Sequence, residues 1–406
     1  MPLGSGARTI LRYILEGTNG ANFGVVPISG NPKNLRRTDD GLGYKIQTQV
    51  SDEITPSGAT ADTILVSASA DGPVNIEMSY REYDDLIEAA LKGTWSVYGT
   101  AGQSSTLTLS LNSTTGVITG SPTGADQFTN LAVGQWFRLV APSDAANGAY
   151  LKVGSRTTTT ITVDAATPLP GTGTRAAVAN CVVQSSRLTN GQTMRSFTLE
   201  RAHTDLTKFI TFRGFNVNKW SFNLQSGSKV TGSFEFMGKD QMTIANATAL
   251  PGTPVASETG DIMNAVTGVG NVLENNAPVA GTYIKSMTFS VDNKLRGRDG
   301  IGYLGYVDVA AGTLEVTGTM SVYFANETIY NKFISSQRTS FQFRMSDANG
   351  YGYVITMPST KFTAGEVKAG GKEADSMVEL SYMALIDPAG GQVVYVDRCG
   401  GPVTRV

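Results

Sequence analysis

Residues 74–80 read VNIEMSY, and residues 316–322 read VTGTMSV. Both stretches alternate apolar and polar side chains, which is typical of a strand with one buried face. Four further blocks follow each of them in the same order: a helix-patterned stretch at 81–92 and 326–335, SFTL at 196–199 and SFQF at 340–343, FITF at 209–212 and YVIT at 353–356, and KVTGSFEFM at 229–237 and DSMVELSYM at 375–383. The copies are far longer than the repeats of about 20 to 50 residues that build solenoids. We therefore expect two tandem domains related by a pseudo-rotation.

Each copy combines strands with one helix. Ser79 and Glu82 have the spacing of a capping box, and apolar side chains then recur at helical spacing. Gly93 is the predicted left-handed end of this helix. In the second copy, Asn326 is the predicted N-cap of a helix over 326–335. The pattern predicts a mainly β chain in which one amphipathic helix lies on the sheet of each copy.

Only the first copy contains a long additional segment. Residues 99–190 separate its helix from its next strand, whereas residues 335–339 make the same connection in the second copy. The segment alternates at 106–111 and at 160–163 with turn residues between, which predicts a small inserted β-domain. Residues 246–280 lack a sustained period and are predicted to link the copies. The predicted parts are 1–98 and 191–245 for the first domain, 99–190 for the inserted domain, 246–280 for the linker and 281–406 for the second domain.

The composition excludes several classes of protein. The chain has 406 residues, 16% of them charged, with a formal net charge of −2 and a pI near 5.6. No run of Lys and Arg exceeds Arg36-Arg37, which argues against sequence-specific nucleic-acid binding. Cys181 and Cys399 are too few and too distant for a disulfide framework, so we expect reduced thiols. With no signal-like or membrane-spanning apolar run, the chain is expected to fold in the cytoplasm where it is made.

The titratable residues do not suggest a catalytic site. His203 is the only histidine and is predicted to lie in an exposed turn, whereas Cys181 is predicted to be buried in a strand. The doublets Asp39-Asp40 and Asp84-Asp85 place neighbouring carboxylates on different faces of a strand or helix. We expect these doublets to be solvated faces or helix N-terminal charges. The sequence therefore predicts no enzyme, no cofactor and no metal site.

Several blocks carry a more specific likeness. They are NLRRT at 34–38, QVSDEI at 49–54, MSYREYDDLIEAAL at 78–91, FNVN at 215–218 and GSFEFMG at 232–238. In order and spacing they resemble the tail tube (major tail) proteins of long-tailed bacteriophages. The resemblance covers nearly the whole chain outside the insertion. It implies two tandem β-sandwich domains, each with one flanking α-helix, in a structural protein of the virion tail.

The same resemblance implies how the chain assembles. In that family six domains close a ring, and stacked rings form the conduit that delivers DNA. Members with a duplicated domain form trimers with pseudo-sixfold symmetry, so the repeat favours a homotrimer, with a hexamer as the alternative. The implied partners are further copies of the chain, the tape measure, tail tip and terminator proteins, and double-stranded DNA that passes non-specifically. Assembly in the host cytoplasm without membrane binding is expected.

Two connections, 39–54 and 295–305, are predicted to project as arms that contact the adjacent ring. The expected contact residues are Asp39, Asp40, Tyr44, Arg296, Arg298 and Asp299. If the family arrangement of four strands per domain holds, ~24 strands give a barrel of roughly 50 Å diameter, with roughly 40 Å open for a DNA duplex. The expected wall strands are 74–80, 229–237, 314–324 and 377–383.

The inserted domain is expected on the tube exterior as a decoration. Trp136 could contact carbohydrate there, but a core tryptophan is the favoured interpretation. A secreted bacterial β-rich surface or adhesion protein is the alternative function, although it should carry an export signal. A sugar-active enzyme would need convergent carboxylates and an aromatic platform, whereas Trp95, Trp136 and Trp220 fall in different elements.

Overall fold

The computed structural model describes residues 4–19, 22–96, 104–121, 127–128, 130–266, 268–269, 272–279 and 282–401. These residues form a mainly β chain, as predicted. The first part contains β1 (Thr9–Thr18), β2 (Lys33–Leu35), β3 (Asp39–Asp40), β4 (Gly43–Val50), β5 (Thr63–Glu77) and helix α1 (Asp84–Leu91). The insertion contains β6 (Leu107–Asn112), β7 (Val117–Ser121), β8 (Trp136–Val140), β9 (Tyr150–Arg156), β10 (Thr160–Val163) and β11 (Val178–Gln184).

The rest of the chain alternates strands with one further helix. After the insertion come β12 (Ser186–Thr189), β13 (Arg195–His203), β14 (Lys208–Gln225), β15 (Thr231–Gly238), β16 (Asp240–Gln241), β17 (Leu273–Glu274) and β18 (Ala277–Pro278). The last part contains β19 (Ile284–Asp292), β20 (Arg296–Arg298), β21 (Asp308–Ala310), β22 (Glu315–Tyr323), α2 (Thr328–Ile334), β23 (Thr339–Ser346), β24 (Gly352–Lys368), β25 (Met377–Ala384) and β26 (Tyr395–Cys399). None of the described helices is long or apolar enough to span a bilayer.

An eight-stranded antiparallel sheet runs through both halves. Its first array has the order β4, β5, β15 and the C-terminal part of β14, and its second array has the order β19, β22, β25 and the C-terminal part of β24. The arrays join where β14 pairs with β19, from Lys219 opposite Asp292 to Gln225 opposite Ser286. We refer to this ladder as the inner seam.

A second layer covers one face of this sheet. β14 and β24 are long enough to leave the sheet, and their N-terminal parts form outer sheets in the orders β2-β1-β13-β14-β16 and β17-β23-β24-β26-β12. The buried face of the seam meets the outer layer through aromatic rings that pack edge to face. Phe222 and Phe289 lie 4.9 Å apart, and Phe343 contacts both. The two halves thus share one continuous hydrophobic core.

The two arrays resemble each other in detail. Residues 69–77 of β5 and residues 315–323 of β22 have the same succession of buried, half-buried and exposed positions. A bulge interrupts β14 after Val217 and β24 after Phe362, in each case at the same rung of the array. A β-bulge shifts the pairing by one residue, so a shared position is a specific feature.

Glycines define the correspondence of the arrays. Gly72 lies opposite Phe236, and Gly318 lies opposite Tyr382. When Gly72 is taken as the equivalent of Gly318, Val74 becomes the equivalent of Met320. This structural correspondence differs by four residues from the sequence alignment of 74–80 with 316–322. The difference arises because sequence similarity followed the Met-Ser dipeptide common to both stretches, whereas backbone pairing follows the glycine.

Both helices are shorter than predicted. Arg81 has a φ of 65° and so cannot belong to the helix, which begins at Asp84 after the non-helical Tyr83. The capping box does not form, because the Glu82 carboxylate accepts the backbone N–H groups of Arg36 and Glu258 instead. Burial raises the pKa of Glu82. The left-handed residue after α1 is Lys92, not Gly93. Around α2, the Asn326 side chain accepts the N–H of Thr328 at 3.0 Å, close to its predicted capping role.

The insertion forms a closed six-stranded barrel in the order β10-β7-β6-β11-β8-β9. Its core is apolar and includes Cys181, whereas Cys399 lies in β26. Both thiols are free and buried, and burial raises the pKa of each. Trp136 is buried, but it packs between the barrel and the second half, against Val354 and Cys399. It therefore belongs to an interface and not to the barrel core.

In its described residues the predicted linker lies first along the outer layer of the first half and then joins the outer sheet of the second half, where β17 pairs with β23. The buried Glu200 carboxylate accepts the hydroxyl of Thr248 and the N–H of Ala249. Further along, Val255 forms a β-bridge with Lys33. These backbone and carboxylate contacts give residues 248–258 fixed positions before any partner is bound.

Candidate assembly interface

The eight-stranded sheet ends in two edges that have no strand beside them among the described residues. β3 and β4 pair only with β5, and residues 361–368 of β24 pair only with β25. In the array correspondence, β3 and β4 occupy the place of β19, and the end of β24 occupies that of β14. If the two edges paired with each other between chains, the end of β24 and β4 would therefore repeat the pairing of β14 with β19 at the inner seam. Unpaired edges of this kind are templates for pairing with another chain.

Both edges carry charged side chains. Lys45 on β4 forms an ion pair with Asp71 at 2.7 Å. On β24, Glu366 lies directly opposite Glu379, and Lys368 contacts both carboxylates. Like charges opposite each other in a sheet are unfavourable. One further cation beside Glu366 would stabilise this edge.

The face of the eight-stranded sheet that no outer layer covers is rich in Ser, Thr and Asn. Thr288 and Thr319 hydrogen-bond to each other across it at 2.8 Å. Five lysines on or beside this face each have an acidic partner: the pairs are Lys45–Asp71, Lys219–Glu235, Lys229–Glu77, Lys294–Glu315 and Lys368–Glu379. Asp292 and Glu366 add two further carboxylates. This polar face is thus mildly acidic and presents no row of unpaired cations among its described residues.

The structure separates the residues predicted for the first arm. Asp39 and Asp40 belong to the edge of the sheet, opposite Asn75 and Val74. The Asp40 side chain is only 4% exposed and forms ion pairs with Arg37 and Arg201, so it acts within the chain. Tyr44 lies near the start of β4 and is 36% exposed.

The projecting part of the first arm is the hairpin formed by the ends of β4 and β5. Residues 45–50 are exposed on both strand faces, as are residues 63–66 opposite them. Its apolar side chains remain open to solvent, and Ile54 near the tip is 96% exposed. An isolated two-stranded hairpin is only marginally stable in water. Contact with a surface that covers its apolar side chains would therefore stabilise this hairpin.

The second arm is the small hairpin of β20 and β21. Arg296 and Arg298 lie on β20, and Arg298 forms an exposed ion pair with Asp308 at 3.2 Å. Asp299 is exposed in the following turn. The carbonyl of Leu304 accepts the N–H of Ala68, which brings the second arm beside the first. Around the two arms the exposed large apolar residues are Ile46, Val50, Ile54, Ile64, Leu65, Val66, Ile301, Tyr303, Leu304 and Val307.

The other singled-out residues have local structural contacts. His203 ends β13, and its Nδ1 lies 3.2 Å from the Thr9 hydroxyl. Asp84 lies at the N-terminus of α1, which was one of the two predictions for this doublet. It is buried, however, and its carboxylate binds Arg398 and the Tyr353 hydroxyl. No three His, Cys, Asp or Glu side chains of the described ranges converge where a metal ion could bind.

Sequence reasoning missed the edge formed by the end of β24. Residues 363–368 read TAGEVK and follow the more apolar part of the same strand. The loss of apolar residues between YVITM at 353–357 and TAGEVK at 363–368 was the available signal in the sequence. A long strand that becomes less apolar towards one end indicates that it leaves a covered sheet and reaches an edge.

Comparison with known families adds one finding. A family model described as "Phage tail tube protein" matches residues 6–384 of the chain, from the turn before β1 to the end of β25. The matched range includes both arrays, both arms and the inserted barrel. No curated protein matches the chain.

Proposed function

This chain is a member of the phage tail tube protein family, and from that premise we propose that three copies close a ring and that stacked rings form the tail conduit for DNA. The two unpaired edges of the eight-stranded sheet carry this proposal. Pairing the end of β24 of one chain with β4 of the next would repeat the inner seam. Three chains of eight strands give ~24 strands, and a barrel of that size has a diameter of about 50 Å.

The likeness of the arrays supports a duplicated domain. Shared burial positions, a shared bulge and the paired glycines are independent features of β5, β14 and their counterparts. In a ring of three such chains the inner surface would be pseudo-sixfold, because each chain contributes two similar arrays. A hexamer of chains is the alternative, and it would double the number of strands.

In the proposed ring the polar face lines the lumen. The opposite face is already covered by the outer layer, so only the Ser- and Thr-rich face is free to meet DNA. Phosphate contacts with cations add affinity and friction. The paired lysines of this face therefore suit a conduit through which DNA slides without being held.

The arms suit contacts between rings. They project beyond the ladder of the arrays and expose apolar side chains that a single chain does not cover. We also place the tape measure, tail tip and terminator proteins among the partners, with assembly in the host cytoplasm, because a tube of stacked rings must begin and end on other components.

The ring proposal predicts a specific register. At the inner seam Ser221 lies opposite Ser290. Glu366 is the equivalent of Ser221 in the other array, and Gly43 is the equivalent of Ser290. Glu366 of one chain is therefore expected to lie opposite Gly43 of the next. Lys45 would then stand diagonal to Glu366 on the lumen face and supply a second cation to the Glu366–Glu379 pair, beside Lys368.

A cysteine pair tests this register. Gly43→Cys with Glu366→Cys should form disulfides between chains on mild oxidation, because a side chain at Gly43 meets no atom within 4 Å and Glu366 is exposed. The native thiols are buried and should not interfere. Non-reducing electrophoresis should show covalent species that stop at three chains.

The matched control is Gln47→Cys with Glu366→Cys, four residues out of register on the same strand, which should not cross-link. Species that extend to six chains would select the hexamer. Equal cross-linking of both pairs, or none in either, would contradict edge-to-edge closure.

A further inference from the structure

Two strand ladders join the halves of this chain, in addition to the buried contacts of Asp84 with Arg398 and Tyr353. The first is the inner seam between β14 and β19. The second lies in the outer layer, where β12 pairs with β26 from Ser186 opposite Arg398 to Thr189 opposite Tyr395. β12 directly follows the inserted barrel in the chain, yet it is the edge strand of an outer sheet that belongs to the second half. The insertion therefore brings a strand of the first half across to the second.

The barrel itself is anchored at Asp397. This carboxylate is fully buried and accepts two hydrogen bonds from Arg187, both of 2.7 Å. It also accepts the backbone N–H of Trp136, on barrel strand β8, at 3.0 Å. A bidentate arginine fixes the orientation of a carboxylate as well as its distance. Barrel, β12 and β26 are thus held together at one point.

Further contacts surround this anchor. Arg138 of the barrel donates to the carbonyl of Asn349 at 3.2 Å and lies over the Tyr351 ring. The Tyr150 hydroxyl donates to the carbonyl of Gly350 at 2.9 Å, and its ring lies beneath Arg344 of the second half. The barrel therefore contacts the turn between β23 and β24 as well as β26.

We propose that the inserted barrel and β12 act as a brace that fixes the angle between the two halves. A single ladder allows the sheets on either side to twist about it, because sheets vary in twist by several degrees per strand pair. A second line of contact in the layer above, about 10 Å away, opposes that rotation. The brace thereby sets the curvature that each chain contributes to an assembly.

One consequence rests on the proposed ring. Between α2 and β23 the second half has only residues 335–338, so it carries no counterpart of the barrel. Joints within a chain would be braced and joints between chains would not. A ring of three chains would then alternate stiff and compliant joints, and bending of the tube would concentrate between chains.

Spin-label distances test the brace on the single chain, independently of ring formation. Labels at Thr231→Cys in β15 and Glu379→Cys in β25 lie on the open polar face, four strand spacings or about 19 Å apart across the seam. Labelled chain is diluted with unlabelled chain. We expect a narrow distance distribution that becomes at least twofold broader in Arg187→Met/Asp397→Leu and in Arg138→Met/Tyr150→Phe.

The second variant keeps the buried anchor and removes only peripheral contacts, so the test survives if the first fails to fold. Arg156→Met is the matched control, since Arg156 lies on barrel strand β9 outside these contacts and should leave the distribution unchanged. Folded variants with the native width would overturn the brace. Normal rings with a broadened distribution would leave the ring proposal intact.

Discussion

Gly72 and Gly318 each lie where the backbone of a neighbouring strand approaches too closely for a side chain. A Cβ on Gly72 would lie 2.2 Å from the carbonyl oxygen of Gly41, and one on Gly318 would lie 2.1 Å from that of Thr288. Gly41 and Thr288 are themselves counterparts in the array correspondence. Each array thus brings an edge strand against its neighbour at a point where only glycine fits. The Tyr382 hydroxyl uses the same space in the second array to donate to Thr288.

At the residue scale, Gly318→Ala should therefore destabilise the chain by about 2 to 3 kcal/mol, because the backbone of β19 must move and the Tyr382 hydrogen bond is strained. Urea unfolding measures the loss. Gly371→Ala is the control, since a Cβ there meets no atom within 4 Å. Equal stability of the two variants would show that the close approach has no energetic weight.

Elements were predictable where local pattern sets them. The alternation of β5 and β22 and the helical spacing before Leu91 identified strands and helices in the right order. The start of α1 was wrong because Glu82 serves a loop that is distant in sequence, and the capping pattern cannot reveal that competition. The arms were identified as connections, but Asp40 was drawn into an internal ion pair by Arg201.

The arms provide the prediction at the element scale. Ile54→Ser with Ile301→Ser removes two side chains that are 96% and 105% exposed. The folded chain should keep its melting temperature, since no intramolecular contact is lost. Tube elongation, followed by light scattering and negative-stain microscopy, should slow at least tenfold because apolar burial between rings is lost. Deleting 296–300 should have the stronger effect of soluble rings that do not elongate.

Val133→Ser is the matched control, because Val133 is a similarly exposed apolar residue, at 61%, on the inserted barrel. It should elongate normally. Normal tubes from the arm variants, or equal slowing in the control, would remove the arms from the contact between rings.

At the scale of the whole molecule, the proposed ring would turn the uncovered polar face of the sheet towards a lumen, and the pairing of charges on this face can be tested. Glu77→Gln with Glu379→Gln removes the main acidic partners of Lys229 and Lys368. Assembled tubes should then retain DNA at low salt, because each freed cation can contact a phosphate. Each such contact steepens the slope of log affinity against log salt concentration by roughly 0.9. Filter retention of labelled duplex at several salt concentrations measures this effect.

Asp164→Asn is the control at this scale. It removes the acidic partner of Lys152 on the barrel, away from the polar face, while Lys152 keeps its hydrogen bond to Asn276. Retention in the control alone would place DNA on the outside of the assembly. Retention in neither would show that the polar face does not meet DNA.

The sequence by itself determined the mainly β character and the kinship with tail tube proteins, and it predicted the duplicated domain and the inserted segment, because these depend on short-range alternation, turn residues and their order along the chain. Only the tertiary structure decided that the halves share one core, that β14 meets β19 in a fixed register, and that the barrel bridges to Asp397 of the second half. Those contacts join residues far apart in sequence. Their partners are selected by the shape and charge of surfaces that exist only after each half has folded.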